Sequence, residues 1–331
     1  MDLSRPHRRH LLVAIFVAVT LLPACGQKKF LSDVLRSTVG ATSGDVLVLS
    51  GGTVARTATP FPLHQIADFY SDGTFKSVLR SVSSTEFMMG MSFDFSNPDR
   101  LLYTVDTTDR VERLSLSSPT IYGNRIIDAN LSGNTMRALA SLSDGGTVVA
   151  ESTTSIEKYD GSDPAVRVTT NFPITLTANI MKLRKISGDR FVAVTTGGTP
   201  DSPRVYTNSG VLSTTISLAA TSCTTNCDPS DVLELSDGRF LVSTTNASGN
   251  AIELFSSSFA YVGQFFKDTT VLQGISALAQ MGDGSIVACS TTFNTCEKIQ
   301  IVGNTGVRVG SHAFIDAASV MRQPTDVLVV P

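Results

Sequence analysis

Histidine is the side chain most often used for acid–base chemistry near neutral pH, and this chain contains few of them. It has four in 331 residues, and only His64 and His312 lie outside the N-terminal segment. A Ser-His-Asp arrangement would need one of these two, and no G-x-S-x-G pattern accompanies them. We expect both in solvated loops. The sequence therefore identifies no catalytic residue.

Cysteines are the second group with reactive chemistry. After Cys25 there are four: Cys223 and Cys227 enclose three residues, and Cys289 and Cys296 enclose six. Local pairs of this kind predict disulfides that staple loops in an oxidising compartment. The alternatives are free thiols, pairing between the two segments, and a four-cysteine metal site. Because the spacings differ from the C-x-x-C of zinc ribbons and no histidine is near, we predict no metal and no cofactor.

The N-terminus has the pattern of an export signal. Three arginines in the first nine residues precede fourteen apolar residues, LLVAIFVAVTLLPA, which are few for a transmembrane helix. The junction LPAC, ending at Cys25, resembles the lipobox of bacterial lipoproteins. The resemblance implies that residues 1–24 are removed and that an acylated Cys25 anchors the protein without spanning the bilayer. Gly26, in place of an aspartate, implies delivery to the outer membrane. The alternative is an ordinary signal beside an unrelated cysteine.

The overall composition is mildly acidic. The net charge is −3, and it would be −5 without the three arginines and one aspartate of residues 1–24. No basic run offers the positive surface that nucleic-acid binding requires. No second apolar run approaches eighteen residues, so no further membrane span is predicted. The expected partners are the membrane, through the lipid, and a protein or glycan of the cell envelope.

A repeat of four short strands dominates the rest of the chain. Each copy has an apolar strand, a turn of the Ser-Asp-Gly type, and further strands rich in Val, Ile, Leu, Phe and Thr. Asp-Gly and Gly-Asp provide the positive φ of a tight hairpin turn. The turns lie at Ser43, Ser96, Ser143, Ser187, Ser236 and Gly282, with spacings of 53, 47, 44, 49 and 46 residues. A period in the forties is typical of β-propeller blades.

The sequence therefore predicts an all-β, six-bladed β-propeller of four-stranded blades over residues 43–331, after a lipidated tether at 25–42. The blades resemble those of NHL-type and related six-bladed propellers, and they lack the marks of WD40 and kelch repeats. The first copy begins at its second strand, Val46 to Ser50, so we expect the C-terminal strand, Asp326 to Val330, to pair with it and close the ring. In the alternative register the C-terminal strand belongs to an incomplete seventh blade.

The innermost strands of a propeller line its central channel. One aligned column of these strands predicts the channel-lining residues Asp94, Ser141, Lys185, Glu234, Gln280 and Val329. Some six-bladed propellers are lactonases, esterases or sugar dehydrogenases, and a resemblance to them implies a channel Ca²⁺. A hard cation takes about six to eight oxygen ligands, whereas this column has two carboxylates and a competing lysine. The cations of the run from Met181 to Ser187 are expected to pair with acids such as Asp231; the alternative is an anionic ligand site.

Binding is expected on loops, because loops on a rigid scaffold usually carry binding residues. The loop from Gly51 to Gln65 is long and contains Phe61 and Leu63, which either contact a partner or pack against the propeller. The predicted function is a lipid-anchored envelope module that binds or scaffolds protein or glycan partners. The alternative is a Ca²⁺-dependent propeller enzyme of the lactonase, esterase or sugar dehydrogenase type.

Overall fold

The computed structural model describes residues 40–51, 64–82, 86–105, 110–127, 136–197, 201–221, 228–245, 250–316 and 323–331. Six residues singled out by the sequence lie outside these ranges: Cys25, Gly26, Phe61, Leu63, Cys223 and Cys227. All described residues belong to one unit, Gly40–Pro331. None of them forms a helix long and apolar enough to cross a membrane.

The described residues form 26 β-strands in six antiparallel sheets, named blades 1 to 6. Blade 1 contains β1 (Val46–Ser50), β2 (Gln65–Phe69), β3 (Phe75–Ser81) and β26 (Pro324–Val329). Blade 2 contains β4 (Met88–Phe93), β5 (Arg100–Val105), β6 (Arg110–Ser115) and β7 (Ile121–Ile127). Blade 3 contains β8 (Ala138–Ser141), β9 (Thr147–Ala150), β10 (Ser155–Tyr159), β11 (Arg167–Val168) and β12 (Ile174–Thr175).

Blade 4 contains β13 (Asn179–Ile186), β14 (Arg190–Thr196), β15 (Arg204–Thr207) and β16 (Leu212–Thr215). Blade 5 contains β17 (Asp228–Glu234), β18 (Phe240–Thr245), β19 (Ala251–Phe255) and β20 (Tyr261–Phe266). Blade 6 contains β21 (Ile275–Gln280), β22 (Ile286–Ser290), β23 (Thr295–Val302), β24 (Thr305–Arg308) and β25 (Ile315–Asp316). The short strands β12 and β25 are additions that pair with the third strands β10 and β23.

The six-bladed prediction is confirmed, and the two ends of the described chain share blade 1. The strand order there is β26-β1-β2-β3, with β26 innermost. Val46 pairs with Val329 and Val48 pairs with Val327. Because β1 is the second strand of its blade, the seven-blade register is not formed. Each innermost strand contacts the innermost strands of both neighbouring blades, so the ring is closed.

The core of the propeller lies between the blades. The second strands are buried except at some of their end residues, and β1 and β22 are buried along their whole length. Alternate side chains point to opposite faces of the sheet. Val46 and Val48 thus pack against blade 6, whereas Leu47 and Leu49 pack against blade 2. Each of the six blade interfaces has an apolar cluster of this kind. The repeat therefore buries a continuous core only when neighbouring blades stack.

The Ser-Asp-Gly signal forms the turn between first and second strands. Gly238 and Gly284 have φ of 83° and 82°, a conformation that glycine adopts without a Cβ clash. The aspartate before each glycine accepts a hydrogen bond from the backbone two residues on, Asp237 from Arg239 at 3.0 Å and Asp283 from Ser285 at 2.9 Å. The turn residues are therefore set by local backbone needs.

A disulfide joins Cys289 and Cys296. The two residues are directly opposite one another on β22 and β23, and both are fully buried at the interface with blade 1. This pairing is local, within one blade.

Candidate functional site

The candidate site is the central channel, which the six innermost strands surround. Two cavities lie along it, of about 320 Å³ and about 280 Å³. The larger, here the turn-side cavity, is lined by the C-terminal halves of the innermost strands, next to the Ser-Asp-Gly turns. The smaller, here the loop-side cavity, is lined by their N-terminal halves. The two cavities therefore open towards opposite ends of the channel.

β-Bulges set the level at which charged side chains enter the channel. Five innermost strands have one extra residue against the second strand of their blade. In β4 it lies within Met89–Gly90, and in the other four strands it is Met181, Ser230, Ser276 or Thr325. A bulge redirects the side chains beside it. The residues that follow three of these bulges are Lys182, Asp231 and Asp326.

These residues and Arg184 form a buried ionic layer across the channel. Arg184 donates from Nε and Nη2 to the two oxygens of Asp231, at 2.8 and 2.6 Å, and from Nη2 to Asp326 at 2.6 Å. Lys182 lies 2.9 Å from the same Asp326 oxygen and donates to the carbonyl of Thr325. The layer therefore balances two cations against two carboxylates.

The carboxylates of the ionic layer also bind the next blade. Asp231, in blade 5, accepts from the backbone N–H of Leu278 in blade 6 at 2.9 Å. Asp326, in blade 1, accepts from the backbone N–H of Met91 in blade 2 at 3.1 Å. Since buried carboxylates need such donors, the layer stabilises the ring as well as filling it.

The charges of the layer shift one another's pKa values. Burial alone would raise the pKa of Asp326, but Arg184 and Lys182 hold it below its usual value. Burial would lower the pKa of Arg184, but Asp231 and Asp326 raise it. For Lys182, burial outweighs Asp326 and lowers the pKa. The layer therefore favours the charged form of Asp326 and of Arg184 at neutral pH.

The predicted column of channel residues has a different role at three of its positions, where side chains cap the turn of the preceding blade. Ser141 accepts from the N–H of Phe95 at 2.9 Å. Glu234 accepts from the N–H and hydroxyl of Ser187, at 2.6 and 2.5 Å. The Oε1 of Gln280 accepts from the N–H of Ser236 at 2.8 Å. These contacts join neighbouring blades, a role that the sequence reading missed.

Blade 2 is one residue out of the predicted register. Its longer turn makes the N–H of Asp94 pair with the carbonyl of Arg100, as the N–H of Leu235 pairs with that of Arg239 in blade 5. Phe93 therefore holds the column position given to Asp94, and Phe93 lines the turn-side cavity. Asp94 instead accepts from the N–H and hydroxyl of Ser96 within its own turn.

Lys185 and Phe95 lie at the mouth of the turn-side cavity. The Lys185 ammonium is 4.1 Å from the centre of the Phe95 ring, an arrangement in which the ring face attracts the cation. Phe95 is half exposed. Val329, the last member of the predicted column, is an apolar residue at the end of β26.

The third strands of several blades have a glutamate at the same position, a repeat that the sequence analysis did not predict. Four blades have a buried glutamate at the same register position: Glu112, Glu157, Glu253 and Glu297. Each has a hydrogen-bond partner, such as Arg308 for Glu297 at 2.7 Å. The signal was visible in the sequence as a glutamate in the middle of each of these strands. Blade 1 has Ala67 at this position, and its acid, Asp68, lies one residue later.

Asp68 belongs to a second buried ionic group, with Asp45 and Lys76. Lys76 pairs closely with Asp45, and it donates to the carbonyl of Gly40 at 3.0 Å. Its Nζ lies 3.5 Å from Asp68, whose two oxygens accept no hydrogen bond from the described residues. Burial and the Asp45 charge, opposed by Lys76, raise the pKa of Asp68 to about 7. Two acids here share one cation.

The two histidines lie in different environments. His312 is exposed. His64, expected to be solvated, is buried instead, with its ring 4.7 Å from that of Phe87 in an edge-on contact. Among the described residues no group of three or more His, Cys, Asp or Glu side chains is arranged to hold a metal ion.

Comparisons with known proteins agree on the architecture. No family model matches the chain, and no curated protein matches it. A chain in the crystal structure of a nidogen–laminin complex is similar over 87% of this chain and 98% of its own length, with a TM-score of 0.64 and 10% identity. A protein of unknown function from Bacteroides caccae covers 87% of this chain and 99% of its own, with a TM-score of 0.59 and 12% identity.

A third similar structure is the extracellular domain assigned to a one-component system of B. thetaiotaomicron. It covers 88% of this chain but 36% of its own, with a TM-score of 0.51 and 13% identity. These likenesses show the fold. At such identities they do not transfer a function.

Proposed function

We propose that the protein is a lipid-anchored module of the bacterial cell envelope that binds or scaffolds a protein or glycan partner. The closed six-bladed ring carries this proposal, because it is a rigid support whose buried channel charges are already paired with one another. Binding then falls to surfaces at the two ends of the propeller. A propeller of the same architecture occurs in a crystal structure of a nidogen–laminin complex.

The cellular location rests on independent observations. The export signal and Cys25 support an outer-membrane lipoprotein, facing the periplasm or the exterior. The disulfide between Cys289 and Cys296 is typical of an oxidising compartment. A similar structure is an extracellular domain.

The ionic layer disfavours the alternative of a Ca²⁺-dependent enzyme. A channel cation would need oxygen ligands that are free to coordinate it. Asp231 and Asp326 instead accept hydrogen bonds from Arg184 and from backbone N–H groups. The guanidinium already neutralises the carboxylates that a metal would use.

The test is affinity capture from envelope membranes with full-length protein, read by mass spectrometry. We expect a reproducible envelope protein, or a glycan released by glycosidase treatment, and we expect the protein in the membrane fraction. Cys25→Ser should move it to the soluble fraction, because acyl chains supply the anchor. Retention of that variant in membranes would refute the anchor. Tight calcium binding without any captured partner would refute the scaffold function.

A further inference from the structure

We propose that the turn-side cavity binds a small organic monocarboxylate with an apolar or aromatic body. The site is distinct from the loops expected to contact an envelope partner, and the proposal does not depend on that partner. At about 320 Å³ the cavity is at the small end of ligand pockets. It therefore suits a compact ligand rather than a peptide or an oligosaccharide.

The lining of the cavity is more apolar than polar. Every blade contributes at least one aliphatic or thioether residue larger than alanine to its lining, and blade 5 contributes two: Met91, Leu139, Leu183, Val232, Leu233, Leu278 and Leu328. Phe93 and the half-exposed Phe95 add aromatic surface towards the mouth. Such a collar removes apolar ligand surface from water, which is the main source of affinity in small-molecule pockets.

The acceptor groups around the cavity are already in use. Ser92 accepts from the N–H of Ser141 at 3.1 Å, and Ser141 accepts from the N–H of Phe95. Both oxygens of Glu234 accept from Ser187. A ligand that donates hydrogen bonds therefore finds few acceptors among these side chains.

Two cationic N–H groups at the cavity, Nη1 of Arg184 and the Lys185 ammonium, have no hydrogen-bond acceptor among the described residues. Arg184 uses Nε and Nη2 for Asp231 and Asp326, and its Nη1 has no hydrogen-bond partner in the described part of the chain. The Lys185 ammonium contacts the face of Phe95 but no carboxylate or carbonyl of these residues. Both residues line the cavity. An anionic oxygen would gain charge-assisted hydrogen bonds from these donors.

The side-chain acceptors around the cavity are already occupied, whereas N–H groups of Arg184 and Lys185 have no acceptor in the described part of the chain. The cavity therefore favours a ligand that accepts hydrogen bonds and carries a negative charge. Glu234 lies at the same rim and repels a second negative charge, so a singly charged group is favoured over a doubly charged one. A planar carboxylate satisfies these conditions, and its apolar body fits the collar.

The test is isothermal titration calorimetry of the full-length protein with phenylacetate, its uncharged amide phenylacetamide, and phenyl phosphate. We expect saturable binding of phenylacetate, and binding of phenylacetamide weaker by about tenfold or more. Lys185→Gln should weaken phenylacetate binding about tenfold, and Phe95→Ala should weaken the binding of both phenylacetate and phenylacetamide. Neither change removes a buried side chain, so both variants should fold.

The matched control is Lys298→Gln. Lys298 also lies over a phenylalanine ring, that of Phe314 at 5.5 Å, but in blade 6 and outside the cavity. Its substitution should leave phenylacetate binding unchanged. The proposal is overturned by equal binding of acid and amide, by wild-type affinity in Lys185→Gln, or by binding of phenyl phosphate without phenylacetate. A lack of saturable binding by the three probes would also overturn it, while leaving the envelope-partner capture unaffected.

Discussion

The two buried ionic groups of this propeller differ in how many of their carboxylate oxygens accept a hydrogen bond. In the channel layer, two cations face two carboxylates, and each carboxylate also accepts a backbone N–H from the next blade. In blade 1, Asp45 and Asp68 share Lys76, and the oxygens of Asp68 accept no hydrogen bond from the described residues. From this contrast we expect the channel layer to stabilise the fold and the Asp68 charge to destabilise it, because a buried charge is tolerated where donors match acceptors.

The repeat explains why the two groups differ. The channel acids occupy one repeat position, where the innermost strands of blades 5 and 1 read Asp-Val-Leu. Asp68 departs from the repeat, because the third-strand acid of blade 1 is shifted by one residue. At the register position of Asp68, blade 6 has Lys298, which pairs with Asp283 of its own turn at 2.7 Å. Asp68 therefore occupies a position that holds a lysine in blade 6, and among the described residues it lacks the hydrogen-bond donors that the third-strand glutamates have.

The largest effect is expected from deletion of residues 325–331, which removes Asp326 and most of the closing strand. The deletion exposes the edge of β1 and removes the buried side chains of Val327 and Val330 from the core. We expect a loss above about 5 kcal/mol from lost burial and the broken ionic layer, measured by urea unfolding. Deletion of the exposed Pro331 alone is the control. Equal stability of the two variants would show that ring closure does not depend on β26.

Asp231→Asn tests the channel layer without cutting the chain. The change leaves Arg184 short of one charged partner in a buried site, which costs about 3–5 kcal/mol. Chemical denaturation is the measurement. The control is Asp237→Asn, which weakens an exposed pair with Arg239 and should cost less than about 1 kcal/mol. Similar losses in the two variants would contradict a special role for the layer.

Asp68→Asn should have the opposite sign. The folded pKa of about 7 lies above the ordinary 3.8, so wild-type stability should fall as pH rises from about 4 to about 7 and then level off. The substitution should remove this slope and stabilise the protein at pH 8 by at most about 4 kcal/mol. The measurement is the melting temperature across pH.

Glu297→Gln is the matched control for Asp68→Asn. Glu297 is equally buried but has its own partner, Arg308. Loss of its charge should therefore destabilise the protein at neutral pH. A gain of stability in both variants would mean that removing any third-strand charge is favourable, which would break the contrast between the two groups.

The sequence was sufficient for the architecture because the turn chemistry is local. Ser-Gly-Asp at residues 43–45 marks the start of a second strand, and it correctly assigned Val46–Ser50 as the partner of the C-terminal strand. The same method misplaced Asp94, because the turn of blade 2 is two residues longer than that of blade 5 and this moved the alignment by a position. Register within a strand depends on such insertions, which the average period does not reveal.

The chemistry of the channel was only partly accessible from the sequence. The pairing of a cation in the Met181–Ser187 run with Asp231 was expected, and Arg184 makes that contact. Asp326 was missed as its second partner, although it repeats the Asp-Val-Leu of Asp231. The bulges at Ser230 and Thr325 bring both acids to one level, and a bulge follows from pairing across strands rather than from the residues of one strand.

The smallest effect is expected at the solvated rim, which extends the comparison from buried to exposed charge. Glu234→Ala removes both hydrogen bonds to Ser187 and should cost about 1 kcal/mol, because water replaces the lost partners. Ser187→Ala removes only the hydroxyl bond and should cost less. If the cap is the cause, Ser187→Ala should be neutral in the Glu234→Ala background, a coupling that a double-mutant cycle measures by urea unfolding. Additive losses would show that Glu234 stabilises the protein through something other than its hydrogen bonds to this turn. Pairing of hydrogen-bond donors with acceptors would then explain the stability of the buried ionic layer but not that of the rim.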